Sequence, residues 1–396
     1  MRHTRRHRAE RLGRTGRAMT ADVIVAGAGP VGLAAALTLA RAGVSVLVLE
    51  CEAALRTGSR AATIHPATLD LLDDLEVAAE LVAHGVIVDR MQWRDLSGTV
   101  FAEMTMAALN GLTGHPFRLH VEQAVLTRLL LDALEPYPEV VVRFGARIES
   151  VTDTGPAVEA RTSSGRERAQ YLVAADGAHS TVRTSLGLSL RRSAYPTHAL
   201  RVFTRSPLDE LLPGLAPVTY IRDPVQSCSL LRLPDHWRII LRLARGEPLP
   251  QRVAGLELSD LNVIGVHRYH LAAGVLDAFH HGRVLFAGDA AHVTSTAGGL
   301  NMNAGLHDAV DLGRTLAGVL AGPASSAALA TWARRRHAVL IDHVVPASEA
   351  RVVGVQDGEA ARLPAAVATV QAIAADDEAT RAYLAEASML DTNSFE

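Results

Sequence analysis

The stretch that decides the fold is Asp22-Val-Ile-Val-Ala-Gly-Ala-Gly-Pro-Val-Gly-Leu33, which runs on to Gly43 and a second apolar run, Val44-Ser-Val-Leu-Val-Leu-Glu50. Asp22 to Ala26 reads as a strand, the glycines at 27, 29 and 32 as a tight turn, and Val31 to Ala42 as a helix that Gly43 stops. Ser45 to Glu50 then reads as a second strand, parallel to the first because a helix joins them. Glycines let the backbone turn sharply and let a ligand approach without meeting a Cβ. The helix start, with Pro30 in its first turn, offers free N–H groups and a positive dipole end to a diphosphate. Glu50, ending the second strand, is placed to accept from ribose hydroxyls, and an acid there weighs against a 2′-phosphate. Gly27, Gly29, Pro30, Gly32 and Glu50 are therefore candidate cofactor-binding residues.

Upstream of this unit, Met1 to Ala18 holds seven of the 39 basic residues and one of the 42 acids, which leaves the body of the chain near −9. An acidic body offers no broad basic face to nucleic acid. The segment reads as a disordered leader over residues 1–20, with Met19 as an alternative start. An arginine-rich run before the apolar stretch Val23 to Ala40 imitates a secretory signal or a membrane span. Gly27, Gly29 and Pro30 break that stretch, so the expectation is a folded unit with no membrane span.

All 39 basic residues are arginine, since the chain contains no lysine. Schiff-base chemistry, a P-loop lysine and lysine-assisted halogenation are thereby excluded. The two cysteines, Cys51 and Cys228, lie far apart without CxxC spacing, which points to a reducing, cytoplasmic setting. The histidines form no HExxH or Cys-paired pattern, and no metal is expected.

Further along, Val121 to Leu134 is apolar at helical spacing and Val140 to Phe144 follows as a strand. The runs Ala157 to Thr162 and Arg168 to Val173 read as a hairpin joined through Ser163-Ser-Gly165. From Ala199 to Leu243 alternating patterns predict an antiparallel sheet, with His236, Arg238, Ile240 and Arg242 on one face of a strand and Trp237, Ile239, Leu241 and Leu243 on the other. Arg283 to Ala287 reads as a buried strand, followed by a glycine-rich loop and a helix from about Asn303 to Leu320. The segment from Ala324 onward has a helical pattern.

Two more motifs follow the first in order, Ala175-Asp-Gly-Ala-His-Ser-Thr-Val-Arg183 and Gly288-Asp-Ala-Ala-His292. With these three, the chain resembles the single-component class A FAD-dependent monooxygenases of the p-hydroxybenzoate hydroxylase type from Ala21 to its end. The resemblance implies an α/β fold, a Rossmann-like FAD-binding domain carrying an inserted, mostly antiparallel β-sheet substrate domain and a C-terminal helical segment. The expected boundaries are 21–84, 106–184 and 276–345 for the FAD-binding domain, 85–105 and 185–275 for the substrate domain, and 346–396 for the C-terminal helices.

The same resemblance places Asp176, Gly177, Arg183, Gly288 and Asp289 around a tightly but non-covalently bound FAD, with Ser59, Arg60 and Gln123 at further contacts. It aims the helix behind Gly299, Leu300 and Asn301 at the flavin ring, although Thr296 stands where a proline is usual and Asn301 where a glycine is usual. The implied reaction is reduction of FAD by transiently bound NAD(P)H, capture of O2 as a C4a-hydroperoxide and transfer of one oxygen to a small aromatic or polyketide-like substrate. Catalytic residues stay unassigned among His65, Tyr220, Arg222, His236 and His270, with Arg201, Arg232 and His292 as further candidates. An FAD-dependent epoxidase or hydride-transferring enzyme is the alternative on the same fold, and a non-catalytic FAD-binding protein is the remote one. A homodimer is left open.

Overall fold

The computed structural model describes residues 20–58, 61–295, 297–322, 324–355 and 362–393. The expected leader up to residue 19, Ser59, Arg60 and Thr296 lie outside the described residues.

The opening unit is strand β1 (Val23–Ala26), helix α1 (Pro30–Arg41) and strand β2 (Val46–Leu49), with β1 and β2 parallel and fully buried. Burial on both faces explains why these strands are continuous apolar runs rather than alternating ones. Beyond the short strands Thr63–Ile64 and Val86–Val88 and the short helices Pro66–Asp73 and Ala78–Ala83 lie strands β3 (Arg90–Arg94) and β4 (Val100–Thr105); the strand Arg118–His120, which pairs with both short strands, leads to helix α2 (Gln123–Asp132) and strand β5 (Val140–Arg143). A three-stranded antiparallel sheet follows, β6 (Ile148–Asp153), β7 (Val158–Thr162) and β8 (Gly165–Ala169).

Here the sequence reading needs correction, because the run Arg168 to Val173 is not one strand. It belongs to β8 and then to β9 (Tyr171–Ala174), which lies parallel to β1 in the main sheet. The break falls at Gln170, whose N–H donates to the Asp22 carbonyl at 2.9 Å and whose Nε2 donates to Asp22 Oδ1 at 3.1 Å. These bonds swing the chain from the hairpin into the centre of the molecule.

The next strands are β10 (Arg191–Thr204), β11 (Val218–Ile221), β12 (Cys228–Arg232), β13 (Trp237–Ala244) and β14 (Val263–Val275). Strands β15 (His280–His281), β16 (Val284–Phe286) and β17 (His292–Val293) precede the long helix α3 (Leu300–Leu320). That helix begins three residues earlier than the sequence pattern suggests, because Gly299 at φ 68° takes the left-handed start that a side chain would resist. Helices α4 (Ala327–Val339), α5 (Val345–Val355), α6 (Leu363–Ala374) and α7 (Asp377–Ala387) complete the described chain.

Two large sheets result. The first has the order β15-β16-β9-β1-β2-β5 and is parallel except at β15. The second has the order β17-β14-β10-β13-β12-β11-β3-β4 and is antiparallel except where β11 runs alongside β3. Helix α3 lies close on α1, since a Cβ on Gly313 would stand 2.7 Å from Thr38 Cβ, and one on Gly305 would stand 2.9 Å from Gly288 Cα. Small residues at those two points let α3 approach both the first helix and the turn after β16. No described helix is long and apolar enough to cross a membrane.

Candidate functional site

At the turn after β1, Gly27 has φ +100°, and a Cβ there would sit 2.5 Å from the Ala175 carbonyl oxygen. A Cβ on Gly32 would collide with the Gly27 carbonyl, whereas one on Gly29 would meet nothing within 4 Å. Two glycines thus serve packing, and Gly29 faces open space. Glu50 is held beside this turn, its Oε2 accepting from Ala28 N–H at 2.7 Å and its Oε1 from Glu52 N–H at 2.9 Å.

The second motif abuts the first, because the position a Gly27 Cβ would take is also 3.2 Å from Asp176 Cα. Asp176 Oδ2 accepts from Val182 N–H at 3.0 Å, while its Oδ1 is buried without a hydrogen-bond partner among the described residues. Burial pushes this carboxyl above the ordinary range. Ser180 caps the short helix Thr181–Ser185 by accepting from Arg183 N–H at 2.9 Å. Arg183 is buried and donates to the carbonyls of Ala178 at 2.7 Å and Ala290 at 2.9 Å, which ties the second motif to the third.

In the third motif, Gly288 at φ +57° leaves room for Val31 of the first helix. The side chain of Asp289 accepts from Asn301 Nδ2 at 2.7 Å, and Asn301 Oδ1 faces His292 Nδ1 at 3.1 Å. His292 is buried, with Nε2 2.6 Å from Asp308 Oδ2, and Asp308 Oδ1 accepts from Arg336 Nε at 2.8 Å. Burial alone would raise the Asp308 carboxyl, but the Arg336 guanidinium and His292 hold it down to about 2. The three motifs therefore meet at the carboxyl ends of the neighbouring strands β16, β9 and β1.

The loop before α3 is pinned by Asn303, whose Nδ2 donates to the carbonyls of Thr63 at 2.9 Å and Gly299 at 2.7 Å while its Oδ1 accepts from His65 N–H at 2.9 Å. The His65 ring is fully buried, with Nε2 2.8 Å from the Gly298 carbonyl oxygen, so Nε2 carries the hydrogen. Its Nδ1 is buried without a partner among the described residues. Burial, with the Arg118 and Arg351 guanidiniums nearby, holds this imidazole well below its ordinary value and hence neutral at pH 7.

Arg118 links this loop to the eight-stranded sheet, since it acts on the His65 ring and interacts with Tyr220. Cross-strand register puts Trp93, Tyr220, Ser229, Ile240, Arg201 and His267 in one row and Leu231, Arg238 and Phe203 in the next. The opposite face carries Trp237, Ile239, Leu241 and Leu243 into an apolar cluster with Leu200 and Val202. Arg222 is buried, its Cζ 5.4 Å from the centroid of the Tyr220 ring, and burial brings its guanidinium down to about 10. Tyr220 packs tilted against Trp93 at 5.2 Å, and Trp93 meets Tyr383 of α7 at 6.3 Å. Arg118 is likewise buried, donates from Nη2 to the Ala387 carbonyl at 3.1 Å and interacts with Tyr220 and Tyr383.

Of the sequence candidates, Tyr220, Arg222 and His65 fall around this region. Gln123 begins α2 and accepts from Ala61 N–H at 3.3 Å. His236 sits 3.4 Å from Glu122, which is paired with Arg238 through both carboxylate oxygens at 2.5 Å. His270 is exposed and packs edge-on against His198 at 4.2 Å, apart from the motif loops. Arg201 lies 4.9 Å from the Tyr269 ring centroid and Arg232 5.4 Å from that of Trp237. Arg118, Arg351 and Tyr383 were not legible as site residues. The one signal was an arginine set between two apolar residues, Phe117 and Leu119.

Comparison with known proteins agrees with this architecture. The FAD binding domain family matches residues 20–238 and 247–345. Para-nitrophenol 4-monooxygenase of Pseudomonas sp. (strain WBC-3) is 30% identical over 366 residues, which is 86% of this chain and 88% of the relative. Aklavinone 12-hydroxylase RdmE of Streptomyces purpurascens is 32% identical over 352 residues, 80% of this chain and 65% of the relative. Among solved structures, p-nitrophenol 4-monooxygenase PnpA from Pseudomonas putida DLL-E4 superposes with a TM-score of 0.87 at 26% identity, covering 94% of this chain and 98% of that one. A ternary complex of aklavinone-11 hydroxylase with FAD and aklavinone gives 0.76 at 30% identity, covering 87% and 70%. This chain belongs to the FAD-dependent monooxygenases of the aromatic hydroxylase type.

Proposed function

We propose that this enzyme consumes NAD(P)H and places one oxygen atom of O2 on a small phenolic aromatic held between the Gly298–Asn303 loop and the eight-stranded sheet. The observation that carries this reading is the pair of buried guanidiniums, Arg118 and Arg222, beside Tyr220. Neither has a carboxylate partner among the described residues, and Arg118 Nε and Arg222 Nη2 have no hydrogen-bond partner there. A buried cation without a counter-charge costs several kcal/mol. A phenolate, or a ring bearing an acceptor group, supplies the missing charge and acceptors.

The residues present fit FAD. Gly29 leaves open space at the helix start, Glu50 is fixed at the end of β2, and Asp176 Oδ1 is a buried acceptor without a donor among the described residues. In this reading Gly27, Gly29, Pro30, Gly32 and Glu50 hold the adenosine and diphosphate, Asp176, Gly177, Gly288 and Asp289 line the chain between diphosphate and ring, and Gly299 and Leu300 approach the ring itself, with the Asn301 side chain turned to Asp289. When bound, FAD takes the reducing equivalents of NAD(P)H and activates O2 for oxygen transfer. The protein orients the aromatic ring, excludes water and manages one proton. Residues 21–84, 106–184 and 276–345 then act as the nucleotide-binding part, and 85–105 with 185–275 as the substrate part.

Rapid mixing of the FAD-loaded enzyme with NADH or NADPH, with and without phenols, and then with O2 tests this. A phenol that accelerates flavin reduction and returns hydroxylated product in step with O2 uptake is the expected result. Hydrogen peroxide in place of hydroxylated product, for every aromatic supplied, would remove the reading.

A further inference from the structure

We infer that Asn301 is a positioning residue that fixes the Asp289 carboxylate toward the flavin nucleotide by joining it to the buried His292–Asp308–Arg336 chain; this rests on the assignment of Asp289 to the FAD site. Hydrogen-bond direction follows from the ends of the chain. Asp289 Oδ1 accepts, so the Asn301 amide presents Nδ2 to it at 2.7 Å and must present Oδ1 to His292 Nδ1 at 3.1 Å. That oxygen is an acceptor, so His292 Nδ1 donates. On the far side of the ring, Nε2 stands 2.6 Å from Asp308 Oδ2, also an acceptor, so Nε2 donates too. Both ring nitrogens of His292 therefore face acceptor oxygens, and the ring is fully buried and stacked at 5.9 Å on Phe279.

Asp308 and Arg336 lie on helices α3 and α4, Asn301 begins α3, and Asp289 precedes His292 in the turn after β16. Asp308 Oδ2 also accepts from Gly288 N–H at 3.2 Å, so one carboxylate grips the backbone just before Asp289 while Asn301 grips its side chain. Asn301 and Asp308 are seven residues apart on α3, hence on one face of the helix. The turn that carries Asp289 is thereby held at two points by the same helix. Asn301 is the only amide in this chain of five residues, and it donates to Asp289 while presenting its oxygen to His292. A side chain without both functions leaves either His292 Nδ1–H or Asp289 without its bond.

The test is a double-mutant cycle on FAD affinity, read by titrating apoprotein with FAD, with thermal unfolding of each apoprotein alongside. Asn301→Ala is expected to weaken FAD binding by roughly tenfold, and Asp289→Ala by at least as much. The double variant should bind no more weakly than Asp289→Ala alone, because Asn301 acts through Asp289. The exchange Asp289→Asn with Asn301→Asp keeps a donor facing an acceptor and an acceptor facing His292, so it should recover affinity relative to either exchange made singly. Additive losses in the cycle, or no recovery in the exchanged pair, would overturn the inference even where some variants unfold early, since the exchanged pair conserves charge and size. Wild-type apoprotein that fails to bind FAD would overturn the underlying assignment instead, so the two failures are told apart.

Discussion

Gly27 and Gly29 are two residues apart and answer different demands. Gly27 is required by the fold, with its positive φ and the Ala175 carbonyl pressed against it, while Gly29 has ordinary φ of −74° and open space. Gly27→Ala is expected to destabilise the apoprotein by about 2 kcal/mol or more. Gly29→Ala should change apoprotein stability by under about 0.5 kcal/mol yet weaken FAD binding, as denaturant melts and FAD titration of the two variants will show. At the other end of the site, Arg222→Met should raise the phenol KM by roughly tenfold while leaving FAD affinity unchanged, measured by steady-state kinetics against FAD titration. The glycines and Glu50 were legible because a phosphate-binding turn allows few residue types at fixed spacing. Arg118 was not, because its role comes from Tyr220 and Tyr383, which are distant in sequence and meet it only in three dimensions.

Among the elements, α3 is the one whose loss would be felt furthest, since it packs on α1 and grips the turn after β16 through Asp308. Asp308→Ala leaves the buried Arg336 guanidinium without its carboxylate and His292 Nε2 without its partner, and is expected to cost about 3–5 kcal/mol by denaturant unfolding. The exposed pair Arg56–Glu52 gives the contrast, and Glu52→Ala should shift stability by less than about 1 kcal/mol. Periodicity made β1, α1, β2 and α3 readable, each being one element with one environment. It failed at Arg168 to Val173 because two strands of different sheets adjoin there with only Gln170 between them, and alternation has no marker for a change of sheet. The His292–Asp308 pair was also invisible, since neither residue's local pattern announces a partner sixteen positions away.

For the molecule as a whole, two imidazoles buried neutral set the acid limit of stability. His120, buried with Nδ1 2.9 Å from the Arg232 carbonyl, is brought by burial down to about 3, and His65 is lowered in the same direction. Both folded values lie below the ordinary imidazole value of 6.5, so below that pH the unfolded chain binds protons that the folded chain refuses. Stability is therefore full above about pH 6.5 and falls as pH drops toward the folded values. Between pH 6.5 and 5 the loss from His120 is about 2 kcal/mol. Urea unfolding at pH 7 and pH 5 should show this slope, and His120→Asn should flatten it; an unchanged slope in that variant would count against the assignment.

The direct passage from β8 to β9 through Gln170 has a mechanical consequence. With no slack between the two sheets, a pull applied at the hairpin tip, Ser163-Ser164, travels along β9 as shear and arrives at Ala175, the residue braced against Gly27. Under tension the small sheet and the nucleotide turn should give way in a single rupture, so the grip on the cofactor is lost in the same event that peels the hairpin away.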